Sequence, residues 1–69
     1  MTKSYILLRM YDKFMAVKKL KIFECCGEYN ISVSTFRRYI AFLRAYFDEF
    51  YGYEIVYSPE TAEYVLITD

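Results

Sequence analysis

Ile31-Ser32-Val33-Ser34-Thr35-Phe36-Arg37-Arg38-Tyr39-Ile40-Ala41-Phe42-Leu43-Arg44-Ala45-Tyr46-Phe47 is the stretch on which the reading of this chain turns. Apolar residues recur at Phe36, Ile40, Leu43 and Phe47, spaced by four, three and four, the beat of an α-helix with one buried face. Ser32 stands where a hydroxyl accepts a hydrogen bond from the free N–H groups of a helix start. Tyr39, Phe42 and Tyr46 are expected to widen the buried face. The remaining strip points outward: Val33, Ser34 and Thr35 in the first turn, then Arg37, Arg38, Ala41 and Arg44. A helix gripped on one side and presenting small polar residues and arginines on the other is built like a DNA-reading helix.

The turn before this helix reads in the same sense. Asn30 is among the few non-glycine residues that accept a left-handed backbone, so it can end one helix and start another within three residues. Ile31 then fills the angle between them. Upstream, Ile22 to Tyr29 makes a short second helix with Ile22, Cys25, Cys26 and Tyr29 inward and Glu24 and Glu28 outward. Gly27 costs such a helix about 1 kcal/mol relative to alanine, so packing rather than propensity must hold it. Lys19-Leu20-Lys21 reads as a short extended link with Leu20 inward. Residues 4–15 make a first helix, with Leu7, Met10, Tyr11 and Phe14 on the inner side and Ser4 as its cap.

Downstream the period changes. Asp48 to Gly52 closes the long helix, with Gly52 at the left-handed position beyond its end. Tyr53–Tyr57 and Glu63–Thr68 are rich in β-branched and aromatic residues, and the only proline, Pro59, lies between them. Two such segments about five residues apart form a β-hairpin. Three helices and a hairpin make one mainly α domain, residues 1–69, and the expected fold is a winged helix-turn-helix with the hairpin as its wing.

Composition bounds the function. Of 69 residues, 57% are hydrophobic and 22% aromatic, including nine tyrosines. That is enough to build a core in a small domain, since each large ring buries roughly 150–250 Å². It also leaves apolar surface to spare, which makes room for a homodimer through an aromatic surface. The formal net charge is zero, yet the charges are sorted. All nine Lys and Arg lie at or before Arg44; with three acids, residues 1–45 carry +6, and the six later acids give residues 46–69 a charge of −6. Such asymmetry points to nucleic acid, although a solvated surface can be sorted by chance. There is no histidine, no glycine-rich phosphate loop and no carboxylate pair at a spacing that would share a pocket. No enzyme activity, small-molecule substrate, cofactor or metal site is therefore expected. No run approaches the ~20 apolar residues of a membrane span, and Arg9 interrupts the one apolar run near the start. The expected location is the cytoplasm, with the adjacent Cys25 and Cys26 as reduced thiols.

Leu20 through Ile67 resembles the amino-terminal winged helix-turn-helix of DeoR-like regulators and of the modules that precede WYL domains. In that family the reading helix carries a valine, a serine, two variable residues, a threonine, an apolar residue, two arginines, a variable residue and an apolar residue. Here the stretch from Ile31 to Ile40 takes that place, and Glu63-Tyr64-Val65-Leu66 stands where the family's wing ends in a Gly-Tyr-apolar-Leu run. Asn30 replaces a frequent glycine, and Glu60 and Glu63 stand in a wing that in many members is basic. The resemblance implies double-stranded DNA as partner, read in the major groove by the helix starting at Ser32, in a transcriptional regulator.

On this reading Ser34 and Thr35 address base edges and Val33 packs on a thymine methyl. Arg37 or Arg38 takes a guanine edge and the other a phosphate, with Ala41 along the same strip. Lys18, Lys19 and Lys21 hold the backbone, which positions the protein without carrying sequence information. The alternative is a winged-helix protein-interaction module that does not bind DNA, with Tyr51, Tyr53, Tyr57 and Tyr64 as anchors.

Overall fold

The first helix is set by a threonine two residues before the predicted start. In the structure, a computed structural model that describes residues 2–68, the Thr2 hydroxyl accepts from the Tyr5 N–H, and α1 runs Lys3–Val17. Ser4 is therefore inside the helix and not its cap. The inward residues are Ile6, Met10 and Phe14. Leu7 and Tyr11, expected on that side, are half-buried at its edge. Lys18 ends α1 in a left-handed conformation (φ 66°) and its N–H donates to Phe14 O.

A three-residue strand, β1 (Lys19–Lys21), follows with Leu20 inward and both lysines out. The next helix, α2 (Ile22–Tyr29), ends at Asn30, which adopts φ 54° and ψ 51°. That is the left-handed turn its side chain tolerates. Ser32 accepts from the Thr35 N–H at 3.1 Å and opens α3 (Val33–Tyr51), whose buried residues are Phe36, Tyr39, Ile40, Leu43 and Phe47. Gly52 closes α3 at φ 71°, donating to Asp48 O and Phe47 O.

Strands β2 (Glu54–Ser58) and β3 (Glu63–Ile67) form the hairpin, and β1 pairs antiparallel with the other edge of β3, giving the order β1-β3-β2. Leu20 faces Tyr64 and Ile55 faces Leu66 on the covered side of the sheet. One core joins these residues to all three helices. The fold is thus mainly helical, three helices against a small antiparallel three-stranded sheet.

Two expectations about the core are corrected. Phe42 and Tyr46 do not widen the buried face of α3: they are 48% and 42% exposed. The helix is aromatic on more of its circumference than α1 can cover. Glu63 is the reverse case, placed by the sequence in a solvated wing but only 8% exposed, because β1 closes over the edge of β3 where it sits.

Candidate nucleic-acid interface

The first turns of α3 are held by a cap that uses two of the predicted contact residues. Ser32 Oγ accepts from the Thr35 N–H and donates to Thr35 Oγ1 at 3.0 Å, so these two hydroxyls are turned to each other. Val33 is half-buried against the core and offers only part of its side chain. Ser34, Arg37, Arg38 and Ala41 are exposed. With one residue every ~100° around a helix, these four occupy one face, opposite Phe36, Ile40 and Phe47. Among the described residues neither arginine has an acidic partner.

Further along, that face loses its basic character. Ala41, Arg44 and Ala45 line a groove with Asp48, Tyr53, Glu54 and Ile55. Arg44, expected in the outward strip, bends into it and donates through Nη2 to Ile55 O at 3.2 Å. Two carboxylates beside the fourth turn repel phosphate, which limits a nucleic-acid footprint to the amino-terminal half of α3.

The three predicted backbone-holding lysines differ from one another. Lys18 Nζ donates to Met15 O, closing its own turn. Lys19 and Lys21 project from the same side of β1 into a cleft with Lys13, Val17, Glu24 and Glu63. Lys19 Nζ lies 3.8 Å from Glu63 Oε2, and that oxygen is buried with no hydrogen-bond partner. Lys19 is thus the counter-charge of a buried carboxylate and is not free for phosphate. Lys21 is exposed without an ion pair among the described residues.

Ion pairing elsewhere withdraws further cations. Lys13 Nζ bonds Glu24 Oε1 at 3.0 Å and lies 3.9 Å from Glu28, while Arg9 lies 3.9 Å from Glu28. The Lys13–Glu24 hydrogen bond raises the ammonium's pKa and lowers the carboxyl's. These pairs tie α1 to α2. Of the proposed anchors, Tyr64 is buried and belongs to the core, Tyr53 is half-buried, and Tyr51 and Tyr57 remain partly exposed.

Cys25 is buried and burial pushes its thiol up to about 11, away from the thiolate a nucleophile or metal ligand needs. No cluster of His, Cys, Asp and Glu suited to a metal occurs among the described residues, and no described helix is long and apolar enough to cross a membrane. Comparison with protein-family models, curated protein sequences and solved structures gave no significant match.

Proposed function

We propose that this chain is a winged helix-turn-helix that binds double-stranded DNA, with the first turns of α3 in the major groove, as a small transcriptional regulator. The observation that carries this reading is the face formed by Ser34, Arg37, Arg38 and Ala41. It is exposed, stands on a capped and buried helix, and keeps its two arginines free while Arg9, Lys13 and Lys19 face acids. A guanidinium presents paired donors that match the guanine O6 and N7 edge, and a small residue such as Ala41 allows close approach. Lys21 supplies a phosphate contact. The residues that differ from the first expectation are Ser32 and Thr35, which hold the helix start, Lys18, which closes its own turn, and Lys19, which faces Glu63.

A protein-interaction module without DNA binding remains the second reading. It is favoured by the hairpin, where Glu54 and Glu60 are exposed and neither forms an ion pair among the described residues.

Duplex binding measured by fluorescence anisotropy over a salt series separates the two. Affinity for DNA should fall steeply as salt rises, because each neutralised phosphate releases counterions. Arg38→Ala should abolish sequence preference and leave the melting temperature unchanged. Lys21→Ala should weaken binding to all sequences and flatten the salt slope by about one. Absence of binding to any duplex at low salt would refute the proposal in favour of the interaction module.

A further inference from the structure

A broad exposed apolar area lies beside the proposed reading face, not on it. Leu7, Leu8 and Tyr11 of α1 line a groove with Phe42, Leu43 and Tyr46 of α3. Leu8 is 65% exposed, and Phe50, one turn beyond Tyr46 and 5.1 Å from its ring, is 67% exposed. With large rings worth roughly 150–250 Å² each, the exposed parts of these side chains sum to roughly 500 Å². That is at the upper end of what a soluble monomer leaves open, and such patches mark interaction sites.

The charges around the patch select its occupant. At one end Lys3 holds its ammonium 4.2 Å from the centre of the Phe42 ring, and Arg38 stands one turn before Phe42. At the other end Glu49 lies on the same side of α3 as Phe42 and Tyr46. One end of the stripe is basic and the other acidic. A second copy laid antiparallel puts Lys3 of each against Glu49 of the other, whereas a parallel copy sets like charge on like.

We propose that the α1/α3 face is a homodimer interface in which two α3 helices pack antiparallel about a two-fold axis midway between Phe42 and Tyr46, at the level of Arg44 along the helix. Phe42 of each copy then meets Tyr46 of the other, and the Lys3, Ala45 and Glu49 rim extends the footprint toward the ~800 Å² per partner of a specific interface.

The arrangement fixes a second quantity, which rests on the proposed DNA reading. Val33, where α3 begins, is eleven residues from Arg44. At 1.5 Å per residue the two helix starts are about 33 Å apart along the axis, and about 34 Å once an interhelical distance of 8–10 Å is included. The two-fold axis also turns both Ser34–Arg37–Ala41 faces to the same side. Half-sites in successive major grooves are 34–36 Å apart. The dimer would therefore read two inverted half-sites one helical turn apart.

Sedimentation equilibrium of the full chain without DNA tests the interface. The wild type should dimerise with a micromolar dissociation constant. Phe42→Glu should weaken this at least tenfold with an unchanged circular dichroism spectrum. Lys3→Glu and Glu49→Lys should each weaken it, and the double variant should recover most of the loss. A monomer at about 1 mM, growth beyond the dimer, or no rescue in the double variant would overturn the interface. Selection of bound duplexes from a random pool tests the spacing separately: inverted repeats centred 10–10.5 base pairs apart support it. Single sites bound by a protein that still dimerises would overturn the spacing alone. Failure to bind any duplex would refute the DNA reading and leave the sedimentation result standing.

Discussion

Replacing Phe36 by alanine should unfold most of the protein, whereas the same change at Phe23 should scarcely affect it. Phe36 is fully buried, and its ring lies 5.8 Å from that of Tyr64, joining the first turn of α3 to the central strand β3. Loss of a buried phenyl ring costs roughly 3–5 kcal/mol, from lost transfer energy and the cavity left behind. A domain of 69 residues has a total of about 3–10 kcal/mol. Each kcal/mol lowers the melting temperature by about 4–8 °C at this size, so the midpoint should fall by at least about 12 °C. Phe23 lies on α2 and is 71% exposed, so its removal leaves no cavity and should cost under about 1 kcal/mol. Thermal melts followed by circular dichroism, with urea titrations of both variants at one low protein concentration, measure the two losses. If the two variants lose equal stability, or Phe36→Ala stays within about 1 kcal/mol of wild type, the helical phase of α3 is wrong. The reading face assigned from it then falls as well.

The turn and the buried thiol supply two more tests. Asn30→Ala forces a β-carbon without a compensating side chain into a left-handed backbone and should cost about 1 kcal/mol, while Asn30→Gly should be neutral or slightly stabilising in the same urea titration. The Cys25 thiol is raised by burial from 9.0 to about 11, so the native state keeps a proton that the unfolded chain releases. Stability from this group is complete below pH 9 and is lost as pH rises from 9 to 11. Cys25→Ala should remove that part of the pH dependence, and in the native protein alkylation should reach half-buried Cys26 before Cys25.

The elements that could be read from sequence were those fixed by local backbone chemistry. Ser32 as a hydroxyl cap and Asn30 and Gly52 at left-handed positions each act within a few residues of themselves, and all three appear where expected. One local expectation failed, since Thr2 rather than Ser4 caps α1; the other failures depended on distant partners. In α1, Ile6, Met10 and Phe14 repeat every four residues, and Leu7, Tyr11 and Met15 do so equally well, so periodicity could not choose between the two faces. In α3 the aromatic residues outnumber the places that α1 and the sheet can cover, and only the crossing of α1 decides that Phe47 is inside while Phe42 and Tyr46 are not. Glu63 follows the strand alternation yet loses its solvent because β1, over forty residues earlier, pairs with the far edge of its strand.

The same distinction governs the charges. The sequence places nine bases before position 45 and six acids after it, which suggests a broad positive face. In the fold much of that excess is internal: Arg9 and Lys13 face Glu24 and Glu28 across α1 and α2, and Lys19 faces Glu63 across β1 and β3. The exposed pairs between α1 and α2 contribute about 0–1 kcal/mol each. Their larger consequence is therefore where they leave charge uncompensated. Lys18 and Arg44 are turned to backbone carbonyls and Lys3 to the Phe42 ring, so the cations left unengaged among the described residues are Lys21, Arg37 and Arg38. Two of these three share one face of α3, next to the cap that fixes its start. The asymmetry visible in the sequence is thus narrowed by tertiary pairing to a patch about the width of one helix, and a rod of that width is what the major groove admits.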